Sequence, residues 1–268
     1  MSAALQYGAA TSGDLDGLNG AATGGDLEGL IGAVRADGYA RLPGAEMARL
    51  LGPAAGTTAA LDAFAASWER LETDAFMADG GRYRRRRHAN FTQGPGAAGT
   101  RRNPHRAHFQ ASVHNTLNGG VDRWFAPVED GVAAGASMAA LLALGRSVAD
   151  ALAPDRPEWF VEMHQFRIEA SAGAPGFPTP EGVHHDGVDV VLIAMLARTN
   201  LRGGETLITD DDGTELARFT LLDRLDTAVI DDARVMHGVT PVEPTISTLP
   251  SCRDVLVLTW KRVATGGA

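Results

Sequence analysis

The chain contains the tripeptide His184-His185-Asp186 and, far downstream, His237. Two imidazoles and one carboxylate can hold a metal ion from one side and leave its other positions open, as in non-haem Fe(II) oxygen chemistry. In an extended tripeptide, side chains two apart share a face, so His184 and Asp186 point one way and His185 the other. His237 would come from a strand brought alongside by the fold. The surroundings suit a built site: Gly187 and Gly238 follow its two halves, an apolar run from Val188 to Leu196 extends the first, and Ala228-Val229-Ile230 precedes the second. His185 reads as pocket lining, as a partner of a ligand or as a surface residue. Asp189 is a weaker rival for the carboxylate.

Arg253 opens the stretch Arg253-Asp254-Val255-Leu256-Val257-Leu258, in which alternation sets Arg253, Val255 and Val257 on one face. An inward guanidinium needs an anion, because a buried unpaired charge is costly. That anion is either a nearby Asp or Glu or the carboxylate of a ligand, whose planar shape matches the guanidinium fork. Other arginines cluster in Arg82-Tyr83-Arg84-Arg85-Arg86-Arg87 and at Arg101, Arg102 and Arg123. Most fit a solvated basic face, but on a strand either Arg84 with Arg86 or Arg85 with Arg87 would turn inward.

Positioning these residues requires a scaffold, and strands dominate the C-terminal half. Residues 159–170, 188–197, 205–209, 227–231 and 254–260 are rich in branched and aromatic residues, with turn signals at Gly203-Gly204, Asp211-Asp212-Gly213 and between Pro241 and Pro244. Many short strands indicate a sandwich or open barrel rather than a parallel α/β sheet. Upstream, 27–75 reads as helical: Leu27, Leu30, Ile31 and Val34 recur at helical spacing before Gly38, and further helices are expected over 46–51 and 61–71. A single long helix is expected over 131–153, ending before Pro154. Residues 1–26 read as a flexible lead-in, 27–262 as one domain whose β core spans 80–262, and 263–268 as a tail.

Composition narrows the function classes. A chain of 268 residues can bury a sizeable core, and its net charge of -9 disfavours a general nucleic-acid binder. No apolar stretch approaches the ~20 residues of a membrane span, and the N-terminus has no secretory pattern. Cys252 is the only cysteine and Lys261 the only lysine. The first excludes an intramolecular disulfide and a Cys-rich zinc site, in keeping with a cytoplasmic protein. The second makes lysine Schiff-base chemistry improbable.

Four segments together resemble the Fe(II)/2-oxoglutarate-dependent dioxygenases. They are Pro180-Glu181-Gly182-Val183-His184-His185-Asp186-Gly187, Asn200-Leu201-Arg202-Gly203-Gly204-Glu205, His237-Gly238-Val239-Thr240-Pro241-Val242 and Arg253-Asp254-Val255-Leu256. The likeness is to bacterial hydroxylases of free amino acids, of the isoleucine 4-hydroxylase type. It continues more faintly through 110–125 and 163–168 and covers roughly 80–262 in all.

The resemblance implies a mainly β fold with flanking helices (α+β), built on a double-stranded β-helix, a cupin-like jelly roll with the metal at one open end between its sheets. His184, Asp186 and His237 would bind Fe(II), and Arg253 would receive the distal carboxylate of 2-oxoglutarate. The other end of 2-oxoglutarate would chelate the metal and leave a position for O2. The implied reaction hydroxylates an unactivated C–H bond of a free aliphatic or cyclic L-amino acid and releases succinate and CO2; Asp186 favours hydroxylation over halogenation. Arg84, Arg86, Gln110, Asn115, Arg167 and Asn200 become candidate substrate contacts, whereas Trp124, Phe125 and Phe166 read as core. The Gly- and Pro-rich stretch 171–179 is a lid or an ordinary connector. A cupin-like metal-binding protein or redox-neutral metalloenzyme using the same triad is the alternative, as is a hydroxylase of a larger or carrier-bound acid.

Overall fold

The computed structural model describes residues 26–95, 99–113, 115, 117–155 and 158–263. The expected lead-in up to residue 25 and the expected tail beyond Val263 therefore lie outside the described residues. In chain order the elements are α1 (Leu27–Asp37), β1 (Tyr39–Leu42), α2 (Gly44–Leu51), α3 (Thr58–Ala65), β2 (Glu72–Thr73), β3 (Arg84–Gln93), β4 (Thr100–Arg102), α4 (Asp130–Ala133) and α5 (Ala136–Leu152). They continue with β5 (Trp159–Ala170), β6 (Val190–Thr199), β7 (Leu201–Gly203), β8 (Glu205–Thr209), β9 (Glu215–Thr220), β10 (Thr227–Asp231), β11 (Met236–Val239), β12 (Val242–Pro244) and β13 (Ser251–Arg262).

The strands make two facing layers of a jelly roll. A major sheet runs β1-β10-β6-β13-β5-β3-β2, with β4 beside β3; opposite lie the sheet β11-β8-β9 and the ribbon β12-β7, and all named pairs are antiparallel. The helices cover the outer face of the major sheet. There Leu30, Val34, Met47, Leu141 and Val148 pack against Val161, Leu192, Leu258 and Trp260. A second core lies between the sheets, where Val191, Ile193 and Met195 meet Ile208, Ala217 and Phe219. Strand β6 is thus buried on both faces, which is why it reads as an unbroken apolar run. On the helix side Gly145 lacks a side chain because an added Cβ would stand 2.1 Å from the Trp260 indole.

Several elements differ from the expected ones for physical reasons. The expected helix over 131–153 is two helices, α4 and α5, because Gly135 takes an extended conformation (φ -70°, ψ 156°) between them. The expected helix over 61–71 ends as α3 at Ala65 and tightens into a 3-10 turn over Ala66–Arg70, which seats Trp68 with its indole N–H on the carbonyl of Phe166. Strand β1 interrupts the helical region by pairing with the distant β10, a partner no local pattern announces. Strand β6 begins at Val190 rather than Val188. The His184-His185-Asp186 tripeptide precedes it in a loop, touching a strand only through an isolated bridge between His184 and His237. No helix among the described residues is long and apolar enough to cross a membrane.

Candidate metal centre and cavity

Main-chain bonds bring the two halves of the triad together. His184 and His237 exchange both N–H···O=C hydrogen bonds, each 3.0 Å, and their ring centroids stand 4.9 Å apart. Asp186 reaches the same place from the loop, its Oδ1 3.3 Å from His184 Nε2 and its Oδ2 3.8 Å from His237 Nε2. One ligand atom from each residue lies within 4.8 Å of the others. The loop is held by Asp232, buried beneath it: its carboxylate accepts the N–H groups of Asp186 (2.9 Å), Gly187 (2.8 Å) and Val188 (3.1 Å). Gly187, at φ 77°, makes the turn out of the site. Three main-chain donors on one carboxylate are a loop's substitute for a strand ladder, and they preserve the alternation expected of a strand.

The electrostatics suit a metal. His184 Nδ1 donates to the Gly182 carbonyl at 3.0 Å, which aims Nε2 at the carboxylate. Although burial pushes the His184 imidazole down, Asp186 and Glu181 raise it to about 9. Burial alone would raise the Asp186 carboxyl, yet His184 and His237 hold it well below its usual range. Burial pushes His237 down to about 4 and keeps it neutral. Asp186 and Glu181 thus favour positive charge at His184, and the neutral His237 imidazole completes the donor set. Two nitrogens and a carboxylate oxygen fit a non-haem iron.

His185 points away, its Nδ1 donating to the Asp232 carbonyl at 2.5 Å and its Nε2 lying 2.9 Å from Asp211. Asp189 is taken by Arg262, through the main-chain N–H and the guanidinium. Glu181 Oε1 stands 3.5 Å from His184 Nε2, and its Oε2 is buried without a partner.

The triad opens into a cavity of about 370 Å³, a size suited to small molecules. Arg253 lines it, only 3 % exposed, with Nε and Nη2 unpartnered and no ion pair to any described carboxylate. The protein-carboxylate alternative for this arginine therefore finds no partner. Burial, with Arg198 nearby, depresses the Arg253 guanidinium to about 10.

On β3 the alternation resolves the arginine run. Arg84 and Arg86 turn into the cavity, whereas Arg85 pairs with Glu169 and Arg87 with Glu72 on the other side. Arg84 Nε binds Asp74 at 2.7 Å, and Arg86 lies 3.6 Å from the same carboxylate. The Arg86 guanidinium lies 3.5 Å from the Phe125 ring centroid and 4.5 Å from that of Phe166. Gln110 and Asn115 also line the cavity; Gln110 Nε2 donates to the Asp186 side chain at 3.3 Å, and Gln110 Oε1 accepts from Asn115 Nδ2 at 3.1 Å.

Two expected substrate contacts lie elsewhere. Arg167 faces the opposite side of β5, where Asp254 and Glu69 bind it. Asn200 sits in the β6–β7 turn at φ 51°, its side chain tied to the Ile246 and Leu249 carbonyls and Ser251. Among the aromatics read as core, only Phe125 is buried as such: Trp124 is exposed and Phe166 lines the cavity.

The sequence reading missed a polar group beside the triad, formed by His88, His108, Glu162 and His164, with Arg123 close by. On β5, Glu162 and His164 share the face of Phe166 and Ile168, a pattern visible in the strand's alternation. His88, His108 and Arg123 had no such signal, since they gather only through the pairing of β3 with β5 and the bridge between His108 and Arg123.

A family model described as 2OG-Fe dioxygenase matches residues 65–259. The 3(1)-hydroxy-L-isoleucine 4-dioxygenase of Pantoea ananatis (strain AJ13355) is 32 % identical over 104 residues, a match spanning 38 % of this chain and 41 % of that relative's length. The crystal structure of a BsmA homologue from Methylobium petroleophilum PM1 is similar with a TM-score of 0.80 at 36 % identity, over 88 % of this chain and 93 % of that one. IDO from Bacillus thuringiensis shares the fold, with a TM-score of 0.73 at 19 % identity over 88 % and 95 % of the two chains.

Proposed function

Because the chain belongs to the 2OG-Fe dioxygenase family, whose members use Fe(II), 2-oxoglutarate and O2, we propose that it hydroxylates an unactivated C–H bond of a free aliphatic or cyclic L-amino acid. In this reading His184, Asp186 and His237 hold the iron, and Arg253 receives the distal carboxylate of 2-oxoglutarate. The observation that carries it is Arg253, a buried guanidinium with no ion pair to a described carboxylate, in the same cavity as the triad. A metal-binding protein without oxygenase activity has no use for such a group. The partial likeness to an isoleucine-derivative dioxygenase and the size of the cavity support a small amino acid over a carrier-bound one.

When bound, iron with 2-oxoglutarate and O2 supplies the oxidising power: one oxygen atom goes to the substrate carbon and the other to succinate as CO2 leaves. The protein's part is positioning. Asp232 holds the loop that carries Asp186, Gly182 orients the His184 ring, and Gln110 braces Asp186 from the cavity side. Ile193, Val239, Val255 and Val257 line the cavity with apolar groups that exclude water and side reactions.

Iron-loaded protein given 2-oxoglutarate and a panel of L-amino acids should form succinate in proportion to a product that has gained one oxygen atom. Absence of substrate-stimulated succinate across the panel would overturn the reading.

A further inference from the structure

Two unbalanced charges face each other across His164. The first is Glu162, whose Oε1 takes hydrogen bonds from both His88 Nε2 (3.0 Å) and His108 Nδ1 (2.9 Å). Burial pushes both imidazoles down, so each donates as a neutral ring. Oε2 takes no hydrogen bond from a described residue, and no described Arg or Lys lies within ion-pair distance of this carboxylate. A largely buried anion satisfied only by neutral donors is an incomplete site. The second is Arg86, which shares the single carboxylate of Asp74 with the closer Arg84 and keeps its Nε buried and unpartnered. Arg123, 2 % exposed, adds another guanidinium with an unpartnered Nε, its Nη2 donating to Gln110 Oε1 at 3.4 Å.

The hydrogen-bond directions sort these groups into two poles. Arg86 Nη2 donates to His164 Nδ1 at 2.7 Å, so the His164 proton is on Nε2, a donor beside the guanidinium. His108 uses its proton on Glu162, so its Nε2 is an acceptor beside the carboxylate. One pole offers donors and positive charge; the other offers acceptors and negative charge. Glu162 and His164 are two apart on β5, roughly 7 Å along the strand, and Arg86 pairs across from Phe166, the next residue on the same face. Arg253 lies farther along, across from Ile168, and is a separate anion site.

We propose that this pair of poles is the receptor for the head group of an α-amino acid: Glu162, with His108, takes the ammonium group, and Arg86, with His164 and Arg123, takes the carboxylate. The inference rests on the amino-acid hydroxylase reading and adds a restriction to it. The substrate must enter with a free amine and a free carboxylate, so N-acylated, amidated and carrier-linked forms are refused. A second metal ion is the rival occupant, because ligand atoms of His88, His108, Glu162 and His164 also lie within 4.8 Å of one another. The Arg86 cation bound to His164 disfavours it.

Calorimetry without O2, on protein carrying Fe(II) and 2-oxoglutarate, tests this directly with aliphatic and cyclic L-amino acids and the N-acetyl, amide and deaminated form of each. The best amino acid should bind roughly tenfold or more tightly than its N-acetyl and amide forms, the worth of one charge-assisted hydrogen bond. Glu162→Gln keeps an oxygen for the two imidazoles; it should weaken the amino acid by a similar factor and change the deaminated acid less than about twofold. Binding of 2-oxoglutarate reports that the cavity is intact. Equal binding of N-acetyl forms, no binding by any amino acid, or an unchanged affinity in Glu162→Gln would overturn the proposal. So would two metal ions per chain that become one in the variant. Amino acids that bind as expected but yield no succinate would refute the hydroxylase and leave the head-group receptor standing.

Discussion

Replacing Arg253 with methionine should move two properties in opposite directions. The guanidinium is buried with no ion pair to a described carboxylate, and burial, with Arg198 nearby, lowers it from 12.5 to about 10. At about 1.4 kcal/mol per pKa unit that is about 3 kcal/mol, released when Arg253→Met keeps the aliphatic stem and removes the charge. For a chain of this length the melting temperature should rise by roughly 6 to 10 °C. Binding of 2-oxoglutarate should weaken instead. Removing one partner of a buried charge pair costs about 2–5 kcal/mol, which corresponds to a loss of about 30- to 4,000-fold in affinity. Thermal unfolding without O2, with bound metal and graded 2-oxoglutarate, reads both quantities at once: the variant should start higher and gain less from the ligand. A variant that melts no higher than the parent and gains as much from 2-oxoglutarate would refute the assignment of Arg253.

Three other outcomes follow from the site. His184→Ala should abolish iron binding and His185→Ala should retain it, as metal analysis of the purified proteins would show; the reverse pattern would remove His184 from the ligand set. Asp232→Asn turns a donor toward the N–H groups of Gly187 and Val188 that its carboxylate now accepts, so metal affinity should drop by about 10–100-fold in competition with a chelator, and an unchanged affinity would show that the loop holds itself. For Asp74, burial alone raises the carboxyl, but the charges of Arg84 and Arg86 outweigh it and hold it below its ordinary value. A pKa depressed by folding gives stability that is present above the unfolded value of about 3.9 and lost as the pH falls through the folded one. Asp74→Asn should therefore melt lower at pH 7 and lose less than the parent below about pH 4, and parallel melting curves across that range would count against the pair.

What was legible in the sequence is what depends on local pattern. Strands β5, β8 and β10 fall on the residues their alternation or apolar composition indicated, because such strands have a period that neighbours cannot hide. The common side of His184 and Asp186 was equally readable from their spacing of two, whereas the approach of His237 depends on its bridge to His184. The arginine run was only half readable: its alternation left two choices, and Asp74 beneath the sheet, with Glu169 and Glu72 outside it, decides for Arg84 and Arg86. Arg167 and Asn200 failed as pocket residues for the same reason, because the partners that claim them, Asp254, Glu69 and the 246–251 turn, come from elsewhere in the chain.

The sequence by itself offered the candidate donor set of two histidines and a carboxylate, since residue types and their order survive any rearrangement of loops. Only the tertiary structure decided what surrounds that chemistry. Asp232 holding the loop that carries Asp186, Arg253 finding no anion among the described residues, and Glu162 set against Arg86 all depend on pairings between β3, β5, β6, β10 and β13, strands far apart in the chain. Charge balance in a buried cavity is a sum over neighbours in space, and one-dimensional spacing does not contain it.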